Sequence, residues 1–284
     1  MSSVGLVTDS ASQLTDALAR RFEAHVVPVT VTIDGTDHLE GIGLSTDDFY
    51  ERLATTSPTP ELTTTQPSPA AFVEAFEEVL FGGSEQILAV LVGSAYSGAV
   101  NSAEVAARKV RERHPDAVIE IVDSATASFG ISCSLWAAAD VLGEGGNFEA
   151  ARDAAVDRAA VTTSVFVLDG LELANRSGRF GQLDLARSEG VAVLTSGPDG
   201  FESLGDVRSA VEGVEVMVQR VLAGCVPVVC AVGWAAPSTD PVTAAFHDRL
   251  AEEPLVTEIV HYRVGPSIAV HTGPNTVGGF FFPA

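Results

Sequence analysis

Two short segments bring hydroxyls and backbone donors to the point where a helix is about to begin. In Thr64-Thr65-Gln66-Pro67-Ser68-Pro69, Ser68 is placed as an N-cap, with proline at the first helical position. Ser97-Gly98 falls between the apolar run Ile87–Val92 and the helical pattern of Asn101–Arg111. Helix N-termini present free N–H groups and partial positive charge, so both places suit an anion. Neither has a Lys or Arg beside it, which favours a single carboxylate over a polyphosphate. Taken singly, each also reads as an ordinary helix cap.

Further polar groups stand at strand ends. Val4–Val7 runs into Thr8-Asp9-Ser10, Ile87–Val92 into Gly93-Ser94, and Val118–Val122 into Asp123-Ser124. In open parallel sheets the ligand crevice lies beyond the carboxyl ends of the strands, so Asp9, Ser10 and Ser124 are candidates for one polar pocket. Asp and Ser also favour such turns as caps, and both readings stand. Asn175-Arg176-Ser177-Gly178-Arg179-Phe180 offers Arg176 and Arg179 as an anion-facing loop. His271, read as leaving a strand Ser267–Val270 into Gly273-Pro274, is a candidate to orient a carboxylate or accept a proton.

Several chemistries are excluded or unsupported. The chain has 38 acidic against 16 basic residues and a formal net charge of −22, with Lys109 its one lysine. That balance argues against nucleic acid and anionic membrane surfaces. Gly-x-Ser-x-Gly, the Gly-Lys phosphate loop and Gly-x-Gly-x-x-Gly are all missing. Cys133, Cys225 and Cys230 sit in apolar surroundings and read as small hydrophobes, and no metal-ligand spacing is present. The longest apolar run, Cys225–Ala236, contains Pro227 and Gly233 and is too short to span a bilayer. Met1-Ser2-Ser3-Val4 lacks the start of a signal peptide, so a cytoplasmic location is expected.

The elements that must position these residues alternate. Strands at Val4–Val7, Val26–Ile33, Ile87–Val92 and Val118–Val122 are separated by helices at Gln13–Phe22, Thr46–Leu53, Ala70–Leu80, Ser97–Arg113 and Ala127–Leu142. This alternation implies an α/β domain with a parallel sheet. The pattern breaks at Gly143–Phe148, and a helix resumes over Glu149–Ala160. Later strands are read at Val165–Leu168, Val191–Leu194, Val226–Val232, Thr257–Val260 and Ser267–Val270, with helices at Val207–Leu222 and Pro241–Glu252. Two domains are expected, 1–155 and 156–284.

In order along the chain, Val7-Thr8-Asp9-Ser10, Thr64-Thr65-Gln66-Pro67-Ser68, Ser94-x-x-Ser97-Gly98, Val122-Asp123-Ser124, Ser177-Gly178-Arg179-Phe180 and His271-x-Gly273-Pro274 resemble the DegV family of bacterial fatty-acid-binding proteins. The resemblance implies a two-domain α/β fold, with a parallel-sheet N-terminal domain and a mixed-sheet C-terminal domain. It maps the carboxylate ligands onto Thr64, Ser97 and Gly98, the family histidine onto His271 and the glycine-arginine loop onto Arg179, with Arg176 nearby. It departs from the family pattern at Thr65, Ala99 and Asn275, and it lacks the Lys-Pro pair common after the arginine loop.

What the resemblance implies for function is a non-catalytic carrier. It would bury a long-chain fatty acid in an apolar tunnel and present the carboxyl to a partner fatty acid kinase for acyl-phosphate formation. Phe129, Ile131, Leu135 and Phe166 are guesses for the tunnel wall. No cofactor, metal or catalytic residue is expected. Two other readings stay open: a small-molecule phosphotransferase or hydrolase using His271 or a pocket serine, and a lipid-responsive regulatory protein.

Overall fold

The computed structural model describes residues 4–56, 60–168, 172–180, 190–197 and 200–284. The first half runs β1 (Val4–Asp9), α1 (Asp16–Phe22), β2 (His25–Val27), β3 (Thr30–Ile33), β4 (Thr36–Leu39), α2 (Thr46–Thr55), β5 (Leu62–Thr65), α3 (Pro69–Phe81), β6 (Gln86–Leu91), α4 (Ala99–Arg113), β7 (Val118–Asp123), α5 (Phe129–Gly143) and α6 (Phe148–Val161). Then follow β8 (Thr163–Leu168), α7 (Glu172–Ser177), β9 (Val191–Gly197), β10 (Gly200–Val207), α8 (Ala210–Leu222), β11 (Val228–Trp234), α9 (Asp240–Ala251), β12 (Val256–Arg263), α10 (Pro266–Thr272) and β13 (Val277–Pro283).

The chain divides into two compact units. One takes the residues through Ser45 together with Glu61–Ala160, the other Thr46–Pro60 together with Val161–Ala284. The division at 155/156 read from the sequence falls inside α6, and α2 lies in the second unit although its neighbours in sequence lie in the first. Side chains explain where α2 belongs. Tyr50 Oη donates to Val264 O at 2.7 Å, and the Arg263 guanidinium lies 5.1 Å from the Tyr50 ring centre. Such cation–π contacts and buried hydrogen bonds each contribute about 1 kcal/mol.

In the first unit the parallel sheet has the order β2-β1-β6-β7. Its central strands are buried on both faces, as parallel strands covered by helices must be: Ile87 to Leu91 are each 0 % exposed. A second, antiparallel sheet has the order β4-β3-β5. The sequence reads Val26–Ile33 as one strand, but Pro28 separates β2 from β3. Proline cannot donate to a ladder, so the chain leaves the parallel sheet there and enters the antiparallel one. Asp34 and Gly35, at φ of 48° and 78°, make the two-residue β3–β4 hairpin.

In the second unit a mixed sheet has the order β10-β9-β8-β13-β11-β12, with only β11 and β12 parallel. Alternation along β8 and β9 sends Val165, Val167, Val191 and Val193 into a core with Met217, Val218, Phe246 and Leu250 of α8 and α9. The opposite face carries Leu168, Ala192 and Leu194 with Ala174 and Phe180, against Phe166 and Phe201. Each fully buried side chain of this size contributes roughly 1.5–3 kcal/mol.

One element type is corrected. Ser267–Val270, read from the sequence as a strand, is the body of α10, with Pro266 at its first position and Gly273 at its C-cap. Short apolar runs do not distinguish strand from buried helix by periodicity, and the flanking Pro and Gly are the signals that decide. The strand that follows is β13, which pairs between β8 and β11.

Candidate functional site

The first unit brings the two helix-start segments together. Ser68 Oγ accepts from Ala71 N at 3.2 Å with Pro69 at the first position of α3, as the sequence predicts. Thr64, half-buried, lies one residue before the end of β5 and pairs with Val31 of β3. Gly98 is the N-cap of α4, and a Cβ built on it would lie 2.8 Å from Gln66 Nε2. The Gln66 side chain therefore rests directly against Gly98, and the Thr64–Pro67 segment borders the start of α4.

The donors at that point are neutral. Ser97 Oγ accepts from Ala99 N at 3.2 Å, which leaves its proton free to donate. Among the described residues neither the Ser97 hydroxyl nor the Gly98 amide donates to a protein acceptor. Gly98 has no side chain to cap α4, and Ser97 Oγ takes only the Ala99 amide, so the next amides of this fifteen-residue helix are left for other acceptors. A hydroxyl, a loop amide and helix-start amides suit one carboxylate.

The turn leading into Ser97 is packed without slack. A Cβ on Gly93 would lie 2.8 Å from Ala125 C and 2.9 Å from Thr126 N, both backbone atoms. Gly93 N donates to Thr126 O at 2.8 Å. Only glycine allows the β6–α4 and β7–α5 connections to approach this closely.

In the second unit α10 packs against α7, and His271 of α10 feels the charge of Arg179 just beyond α7. Burial, then that guanidinium, lowers the imidazole from its ordinary range to about 4. His271 is therefore a neutral imidazole at physiological pH. Arg179 is exposed, its Nη1 donating to Ser177 O at 2.7 Å. Next to it, Phe180 forms a ring cluster with Phe166 and Phe201, with centroids 5.1 to 6.3 Å apart. The sequence reading missed Phe201. Its signal was the run Gly200-Phe201 opening an unrecognised strand.

The remaining candidates are placed as follows. Asp9 is fully buried and accepts from the amides of Ala11 and Val92, both at 3.0 Å. Ser10 Oγ donates to Glu40 Oε2 and accepts from Val29 N at 2.9 Å. Ser124 Oγ bonds within its own turn, to Thr126. These three groups are committed to the backbone or to Glu40, which is the capping reading of those turns. Arg176 is exposed in the last turn of α7. Of the tunnel guesses, Phe129, Ile131 and Leu135 are 0 % exposed in α5 of the first unit, while Phe166 is half-buried in the second. Among the described residues no cluster of three or more His, Cys, Asp or Glu is placed for a metal ion, and no helix is long and apolar enough to cross a membrane.

A parallel sheet in one unit and a mixed sheet in the other, with a helix of the first half carried into the second unit, define a two-unit α/β protein. The sequence matches the model of the DegV family, described as "Uncharacterised protein, DegV family", over residues 3–284, and the chain belongs to that family. A DegV domain-containing protein of Streptomyces coelicolor is 30% identical, covering 97% of this chain and 96% of that one. A solved DegV family protein of Thermus thermophilus, described for its fatty acid binding, is 25% identical with a TM-score of 0.89 over 100% of both chains. A stearic acid-binding protein of Eubacterium ventriosum shares the fold at a TM-score of 0.87 and 22% identity, covering 99% of this chain and 98% of that one.

Proposed function

We propose that the chain is a non-catalytic carrier of a long-chain fatty acid. Thr64, the Ser97 hydroxyl and the Gly98 amide hold the carboxylate, and His271 and Arg179 supply the remaining polar groups. Of the secondary pocket expected at Asp9, Ser10, Ser124 and Arg176, the first three act by bracing the turns of the first unit, and Arg176 is a further cation of the arginine loop. The observation that carries this reading is the contact of Gln66 with Gly98, which joins the Thr64 segment to the open start of α4. The family and the solved relatives described as fatty acid binding support it.

Neutral donors fit the task. A carboxylate that accepts several N–H and O–H bonds stays ionised, and neutral His271 does not tie up the charge. Most of the affinity then comes from the acyl chain, at about 0.8 kcal/mol for each buried methylene. The carrier presents the carboxyl to a partner ATP-dependent fatty acid kinase, which forms the acyl-phosphate. The location that goes with this role is the cytoplasm.

Calorimetric titration of delipidated protein with long-chain fatty acids tests the binding. The reading expects saturable one-to-one binding that Ser97→Ala weakens about tenfold, the loss of one hydrogen bond to a charged group. Full affinity in Ser97→Ala would remove Ser97 from the site. For the kinase step, ATP and fatty acid with this chain alone should yield no acyl-phosphate, and adding a fatty acid kinase should yield it. Turnover by the isolated chain would contradict the carrier role.

A further inference from the structure

Two carboxylates of the first unit are spent on the backbone of the turn that leads to Ser97 and Gly98. Asp9, at the end of β1 and 0 % exposed, accepts from Ala11 N through Oδ1 and from Val92 N through Oδ2, both at 3.0 Å. Asp123, at the end of β7 and exposed, accepts from Ser94 N at 3.2 and 3.3 Å and from Ala125 N at 2.9 Å. Between the two anchored amides, Gly93 N donates to Thr126 O at 2.8 Å. The turn then closes on itself, because Gly93 O accepts from Tyr96 N at 2.9 Å and Ser97 N at 3.2 Å. Three consecutive amides are thus fixed from outside the turn, and Ser97 is the last residue of the closed segment.

A capped turn alone does not call for a buried carboxyl. Serine or asparagine would cap residues 10–12 without the cost of taking an ionisable group out of water. Only a carboxylate offers two acceptor oxygens, which lets one side chain hold its own turn and also reach across to β6. We propose that Asp9 and Asp123 are positioning residues of the carboxylate site, fixing the Ser97 hydroxyl and the Gly98 amide through the backbone at Val92 and Ser94. The assignment rests on the fatty-acid reading of that site.

Ionisation matters for Asp9. Ionised, it serves both amides; protonated, one oxygen becomes a donor and no longer accepts. Burial, opposed by the Val92 and Ala11 bonds and aided by the charge of Glu40, raises it to about 7. Glu40 follows β4, β6 and the turn after β1 present the two amides, and α5 packs on that turn with Ser132, whose Oγ donates to Ser12 O. The adjacent Cys133 is kept as a neutral thiol by burial, pushed up to about 12. Loosening of the turn is thus expected as pH falls through about 7.

The test uses Asp123→Ala, at an exposed position, and Asp9→Asn, each confirmed as folded by circular dichroism and read by amide hydrogen exchange and by dodecanoate affinity below its aggregation concentration. The expected result for Asp123→Ala is exchange at Tyr96 and Ser97 at least about tenfold faster, with affinity about three- to tenfold weaker. Wild-type affinity should drop severalfold from pH 8.5 to pH 6, and Asp9→Asn should lose that step. Wild-type exchange at both amides in Asp123→Ala overturns the proposal, as does an unchanged pH step in folded Asp9→Asn. If the wild type takes no dodecanoate, the fatty-acid reading fails instead, and the exchange rates alone decide whether the carboxylates fix the turn.

Discussion

A methyl group on Gly98 tests the proposed site where it is tightest. The Cβ of Gly98→Ala would stand 2.8 Å from Gln66 Nε2 and 3.3 Å from Gln66 Cδ, inside ordinary contact distance. The backbone accepts alanine, since φ at Gly98 is −83°. The clash falls on the far end of a flexible, exposed side chain, so the fold relieves it by moving Gln66. Alanine is a poorer N-cap than glycine, and the expected loss of stability is about 1 kcal/mol or less. The effect on binding is larger, because the methyl and the displaced Gln66 crowd the space in front of the Gly98 amide. Losing one bond to a charged acceptor costs about 1.5–3 kcal/mol, which is roughly ten- to a hundredfold in affinity. Thermal unfolding and calorimetric titration with a long-chain fatty acid measure the two effects separately. An unchanged affinity in a stable Gly98→Ala protein would refute the placement of the carboxylate at this helix start.

Other expectations follow from the same geometry. Gly93→Ala meets backbone rather than a side chain, 2.8 Å from Ala125 C, and should cost about 1–3 kcal/mol in urea unfolding; a neutral effect would contradict the close approach of the two turns. Thr64→Ala should weaken binding about tenfold, with circular dichroism unchanged. The pH dependence of stability carries two opposing slopes. His271, lowered to about 4, contributes stability that is present above 6.5 and lost as pH falls towards 4, at most about 3 kcal/mol. Asp9, raised to about 7, contributes stability that is present below 3.8 and lost as pH rises towards 7. Urea midpoints should therefore change little between pH 4.5 and 6.5 in the wild type, fall with rising pH in His271→Gln, and rise with it in Asp9→Asn. Parallel profiles for all three proteins would show that neither group is perturbed.

The parts legible in the sequence are those fixed by local chemistry. Ser68-Pro69 announces the start of α3 and forms the expected cap. The apolar run at Ile87–Val92 gives β6 because a central parallel strand is buried on both faces. Asp34-Gly35 also carries a hairpin signal, but the strands beside it are short and half-polar, and Val26–Ile33 reads as a single strand while β4 leaves no clear pattern. Nothing local marks α2 as a helix of the second unit: Tyr50 finds its acceptor at Val264, far along the chain. The site divides in the same way. Hydroxyls and glycines at helix starts could be found by type and spacing, whereas the Gln66–Gly98 contact and the reach of Asp9 to Val92 depend on how strands are ordered in the sheet.

The most direct test of the carrier role is mass spectrometry of the small molecule released when the purified protein is denatured. The account predicts a long-chain fatty acid at about one per chain, lost or reduced in Ser97→Ala. A protein that releases no lipid and also refuses added long-chain fatty acid would contradict it.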